Sequence, residues 1–191
     1  LNVLLTRMPV RRLEGEAVRD AILAVSGELD PAVGGPSVMP HISKYQDGRG
    51  KPKSGPLDAN GRRSIYIQVR RNFLTPMLLA FDYPLPTTTI GKRGVSTVPS
   101  QALLLLNNEF VTAQAQAWAE RLLKREEAPE ARLARMYEKA LARPPQPWEL
   151  QEMTAFVIAQ QSRHQSAGAA DPRKTAWADV AHVLFNSAEF L

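Results

Sequence analysis

A mainly α domain is what the sequence predicts: a bundle-like packing of five to six helices with one short strand or hairpin and a long basic loop. Three observations carry it. Apolar residues recur at helical spacing in most segments, prolines or capping residues stand where those segments begin, and only one stretch alternates with a period of two. With 191 residues, 44% of them hydrophobic, the chain suffices for one substantial core, so residues 1–191 are read as a single domain. Beginning at Leu1-Asn2-Val3 without a leader-like apolar run, it is expected to be the C-terminal part of a larger protein with its targeting signal upstream.

The first helix is expected from about Arg12 to Ser26, where Leu13, Ala17, Val18, Ala21, Ile22 and Val25 share a face. Gly27 stops it. Asp30-Pro31 and Gly34-Gly35-Pro36 impose turns, so Leu29 to Met39 is expected as ordered loop. From His41 to Arg63 glycine and proline mix with Lys44, Arg49, Lys51, Lys53, Arg62 and Arg63, opposed only by Asp47 and Asp58. This is the flexible basic excursion.

Ser64 to Val69 alternates Ile65, Ile67 and Val69 with polar residues, the pattern of a half-buried strand. A lone strand needs a partner, for which an extended piece at Pro36 to His41 or an upstream segment qualifies. Thr75-Pro76 starts one or two apolar turns that Pro84 and Pro86 end. The run Thr97 to Gln101 opens a helix whose Leu103 to Leu106 are apolar on every side, implying a central, largely buried element. Asn107 and Asn108 end it and cap the next helix, about Glu109 to Lys124. Further helices follow at about Pro129 to Ala142, with Leu133, Met136, Tyr137, Ala140 and Leu141 inward, and from Pro147 with Leu150, Met153 and Val157 inward. After a polar linker from Ser162 to Pro172, a last helix aligns Trp177, Val180, Ala181, Leu184 and Phe185.

Composition excludes several chemistries. No cysteine is present, which removes disulfides, thiolate metal sites, thiol nucleophiles and covalent haem attachment. No run approaches the roughly 18 to 20 apolar residues of a membrane helix. The formal charge of +5 favours anionic partners, though a modest excess is common in proteins that bind none. His41, His164 and His182 are too scattered for a helical metal motif. Gly91-Lys92-Arg93-Gly94 lacks the spacing of a phosphate loop. Asp179, His182 and Ser187 have the residue types of a hydrolytic triad, but on one helix His182 and Ser187 point about 140° apart. A surface Asp-His contact and a helix-ending Ser are the preferred reading.

Two groups remain as candidate binding residues. The loop cations Lys44, Arg49, Lys51, Lys53, Arg62 and Arg63 suit phosphate, sulfate or carboxylate, although a solvated loop ranks ahead because Tyr45 is nearly the only aromatic among them. Around the helix opened by Pro99 lie Arg70, Arg71, Asp82, Arg93, Thr97, Gln101, Asn107 and Asn108. Their arginines either brace proline-rich turns against Asp82 or grip an anionic ligand, and bracing ranks first.

Several runs carry a resemblance: Arg11-Arg12-Leu13-Glu14-Gly15-Glu16-Ala17-Val18-Arg19-Asp20, Arg63-Ser64-Ile65-Tyr66, Phe81-Asp82-Tyr83-Pro84, Thr97-Val98-Pro99-Ser100-Gln101, Leu106-Asn107-Asn108, and His182-Val183-Leu184-Phe185-Asn186-Ser187-Ala188-Glu189-Phe190. In this order they resemble the planctomycete-type domain of unknown function 1553, the PSD-one family, in its C-terminal portion. Gly91 and Lys92 make their loop more basic than the resemblance implies. Tyr137 to Arg143 with Pro147, and Asn186 to Phe190, also look like a short repeat of exported helical modules with adhesive or linker roles.

The resemblance implies an exported multidomain protein with a cytochrome c-like module and a companion domain upstream, haem being expected only there. It carries no established activity and no catalytic residue. The expected role is a binding or scaffolding module that docks its upstream domains or an anionic surface polymer such as a polysaccharide. The alternative is part of a polysaccharide-processing or redox enzyme whose site is shared with upstream domains, with Arg70, Asp82, Arg93 and Gln101 facing the cleft. Nucleic acid ranks last, given the expected export and the scarcity of stacking aromatics.

Overall fold

The computed structural model describes residues 11–191. Seven α-helices follow one another: α1 (Gly15–Ser26), α2 (Pro76–Ala80), α3 (Pro99–Asn107), α4 (Glu109–Leu123), α5 (Pro129–Leu141), α6 (Pro147–Ser166) and α7 (Pro172–Phe185). The class is mainly α, with one helix more than the five or six expected. Five of the seven carry proline in the first turn, where its fixed φ suits the helix and its missing N–H has no bond to lose. No helix among the described residues is long and apolar enough to cross a membrane.

The core gathers around α7, which packs most extensively against α4 and α6. Trp177, Val180, Ala181, Leu184 and Phe185 are all buried, the stripe that their spacing predicts. Trp118 of α4 stacks on Phe185 with ring centroids 5.4 Å apart, and Phe190 tilts against the same ring at 5.3 Å. α1 lays Val18, Ile22 and Leu23 against this core, and Ser26 Oγ donates to Gln114 Oε1 of α4 at 2.7 Å. Gly27 takes φ +84° and its N–H bonds back to Leu23, the left-handed stop that glycine adopts without steric cost. The Leu13 N–H donates to the Leu191 carbonyl at 2.6 Å, bringing the two ends of the described chain together.

Several expectations are corrected. α1 begins at Gly15 rather than Arg12, and α6 continues to Ser166, so the linker shrinks to residues 167–171. Ser64 to Val69 is not a strand: Ser64–Tyr66 is a 3-10 turn, and only Ile67 forms a parallel bridge, with Val38. That partner does lie in the extended piece proposed for it, but Asp20 of α1 takes both the N–H and the Oγ of Ser64 at 2.8 and 2.7 Å. The turn this imposes leaves Ile65 74% exposed, so the alternation does not make a buried face. α3 is not central either. Only Gln101 and Leu105 are buried on it, while Leu103 and Leu106 are more than half exposed.

The α5–α6 corner is held by charge. Ala142 ends α5 in the left-handed region (φ +54°), and Arg143 then grips Glu149 through two bonds of 2.7 and 2.8 Å and Glu189 through two of 2.7 Å. Glu149 also accepts from the Gln146 N–H at 2.7 Å, closing the first turn of α6. These bonds, Arg143's foremost, hold the Glu149 carboxyl down at about 2 from an ordinary 4.5, and Arg143 depresses Glu189 as well. The stabilisation is therefore complete above about 4.5 and is lost as pH falls towards 2. In thermal melts across that window, Glu149→Gln should be less stable than the parent at pH 6 and lose less on acidification. Equal slopes for both proteins would remove this role.

Candidate functional site

The basic segment from His41 to Arg63 is tied down at its neck and open at its tip. The Gly55 N–H donates to the Pro40 carbonyl at 2.9 Å, Ile42 N–H to Ser54 Oγ at 2.9 Å, and Gln46 Nε2 to the Leu74 carbonyl at 3.0 Å. Ile42 and Ala59 are buried. Gly55 is required, since a Cβ there would lie 2.0 Å from the Met39 carbonyl oxygen. Beyond this neck Lys44, Arg49, Lys51 and Lys53 are exposed, and none forms an ion pair with another described residue. The Lys44 ammonium sits 5.1 Å from the centroid of the Tyr45 ring, itself 82% exposed.

Arg62 does not belong with the free cations. It donates to the carbonyls of Ala32, at 2.9 Å, and of Gly34, pairs with Asp30 at 3.4 Å, and lies 4.1 Å from the Tyr66 ring centroid. Its role is to brace the turn at residues 30–34. Arg63 is exposed and lines a groove of about 510 Å³ beside α1, with Glu14, Glu16, Asp20 and Arg93.

Most of the second candidate group is engaged in internal bonds. Asp82, at φ +60°, accepts from Arg12 Nη2 at 2.7 Å and from the N–H and Oγ of Ser96, both at 2.8 Å. Those bonds, the Ser96 N–H first, lower its pKa. Gln101 is buried and donates to the carbonyls of Ala80 and Ser96 at 2.9 and 3.1 Å. Arg93 reaches across to Glu14 and Glu16 at 2.8 Å each, and the Glu16 bond raises its pKa. Asn107 Nδ2 returns to the Leu103 carbonyl at 2.8 Å, and Asn108 caps α4 through bonds from Phe110 and Val111.

Arg70 lies apart from this group, bonded to Gln68 Oε1 at 2.8 Å, and Arg71 and Thr97 are exposed. A smaller hollow of about 240 Å³ does join the two candidate groups, bringing His41 and Tyr45 of the loop to Asn107 and Asn108.

The triad is not assembled. Asp179 Oδ2 lies 2.6 Å from Nε2 of His164 on α6, not His182, so the same-helix Asp-His contact is absent too. His182 Nε2 lies 3.1 Å from the Leu105 carbonyl, and Ser187 Oγ donates to the Leu184 carbonyl at 2.9 Å. Among the described residues no group of three or more His, Asp or Glu is placed to hold a metal ion.

The family profile described as protein of unknown function (DUF1553) matches residues 1–157. The chain belongs to this family. The match covers both candidate groups of the DUF1553 domain, so the loop cations and the Asp82 brace lie within it, whereas α7 lies beyond its end. No curated protein and no solved structure matches the chain.

One cationic cluster escaped the sequence reading. Arg121 with Arg125, and Arg135 with Lys139, are same-sign pairs four residues apart that converge on one hollow between α4 and α5. Their spacing was the available signal, but which helix α5 would face was not legible.

Proposed function

We propose that this DUF1553 domain is a binding and scaffolding module of an exported multidomain protein. Its loop cations Lys44, Arg49, Lys51 and Lys53 hold an anionic surface polysaccharide, and its helical bundle docks the neighbouring upstream domains, one of which carries any haem. Export and the upstream modules rest on the family resemblance. The observation that carries the binding role is the contrast between the two candidate groups. Asp82, Arg93 and Gln101 are committed to internal bonds, while the four loop cations are exposed, without an ion pair among the described residues, on a neck that fixes where they stand. That same commitment counts against an active site shared through Asp82, Arg93 and Gln101.

Retention of the full chain on a sulfated or carboxylated polysaccharide column tests the polymer role. With Lys44, Arg49, Lys51 and Lys53 all replaced by Gln, binding should weaken about 10- to 100-fold, at about 0.4–0.7 kcal/mol per exposed charge contact. The parent's retention should also fall with salt, because these contacts are screened. Unchanged retention removes the polysaccharide and leaves domain docking alone.

A further inference from the structure

Two same-sign pairs face one another across α4 and α5. Arg121 stands in the last turn of α4 and Arg125 two residues past its end, while Arg135 and Lys139 stand one turn apart on α5. All four line a hollow of about 370 Å³ together with Trp118 and Leu122, which are buried, and Glu138. Like charges four residues apart on a helix repel. Arg135 and Lys139 are such a pair, and with Arg121 and Arg125 beside them an anion entering the concavity would relieve the repulsion that solvent does not screen.

The protein supplies that counter-charge only in part. Arg121 Nη2 bonds Glu28 at 2.7 Å, and Arg135 bonds Glu127 through Nη2 and Nε at 2.6 and 3.3 Å. These pairs fix two guanidinium groups from outside the lining, leaving Arg121 Nη1 and Nε and Arg135 Nη1 without a hydrogen-bond partner among the described residues. Arg125 and Lys139 have no ion pair there at all. Glu138, the one carboxylate of the lining, is exposed and makes no ion pair either. Burial, and then Arg121, lower the Lys139 pKa, with no carboxylate opposing them.

We infer that this hollow binds a single oxyanion group, a sulfate, phosphate or carboxylate, between Arg125 and Lys139, assisted by the spare N–H groups of Arg121 and Arg135. Guanidinium forks match the planar edge of such groups, and an ammonium adds a point charge. None of the four residues belongs to the loop, so the site stands whether or not the loop binds a polymer.

The test is thermal melting of the full chain in sodium sulfate against sodium chloride at matched ionic strength, repeated with phosphate and acetate and with a sulfated disaccharide. The expected result is a saturable rise in Tm with at least one of the oxyanions over chloride. In Arg125→Gln/Lys139→Gln the apparent affinity should fall about tenfold or more, a difference of about 1.4 kcal/mol or greater. Lys139→Arg should retain the response, and so should the four-fold loop variant. Tighter binding of the disaccharide than of free sulfate assigns the group to a polymer, and the reverse order assigns it to a free anion. Melting that is the same in chloride and in every oxyanion overturns the inference. A full response in a folded Arg125→Gln/Lys139→Gln protein overturns it as well, and neither result bears on the loop.

Discussion

Phe185→Ala is expected to destabilise the fold by about 3–5 kcal/mol, as removal of a fully enclosed aromatic ring does. Phe185 is completely buried and stacks on Trp118 on one side while meeting Phe190 on another. Its loss removes contacts among three elements together: α4, α7 and the turn that follows α7. The cavity cannot close by moving one side chain, because Trp118 is itself only 1% exposed and wedged against α7. Urea denaturation followed by Trp fluorescence measures the change. A loss below about 1 kcal/mol, the scale of a surface substitution, would mean that α7 is not the organising element described above.

Arg19→Ala should cost a comparable amount, about 3–5 kcal/mol, by breaking a buried charged network. Arg19 is 3% exposed on α1. It donates to the carbonyls of Asp58 and Arg62 at 2.7 and 3.0 Å, to Ser64 Oγ at 3.2 Å and to Asp20 at 3.3 Å, and it lies over the Phe110 ring. Burial pulls its pKa down while Asp20 and Asp58 resist, so desolvation of the cation is offset by these acceptors. With alanine they lose their donor. The end of the basic loop is then held to α1 mainly by the Ser64 bonds to Asp20, and the amides of residues 59–62 should exchange with solvent far faster than those of α7. Uniform acceleration of exchange throughout the bundle would argue against a local anchor.

Much of the helical plan was legible because it follows from local chemistry. Leu133, Met136 and Tyr137 are buried on α5 as their spacing requires, and the prolines at 76, 99, 129 and 147 stand in the first turns of helices. Two failures share one cause. Leu103 to Leu106 show apolar character without saying which sides of α3 have neighbours, and six alternating residues after Arg63 show strand character without supplying a strand beside them. Burial and pairing are properties of the assembled chain. The partners of the candidate residues were illegible for the same reason: Arg93 meets Glu16 across 77 positions, and Arg12 meets Asp82 across 70. The type of each residue suggested charge pairing, but the partner that decides between brace and ligand site is set by tertiary packing.

The bond between Leu13 and Leu191 has a mechanical consequence. Between these two residues the described chain, its seven helices included, runs out and back to one point, so the bundle is closed into a loop. A pull that separates Leu13 from Leu191 is met first by that one short junction of backbone, before any helix is stretched.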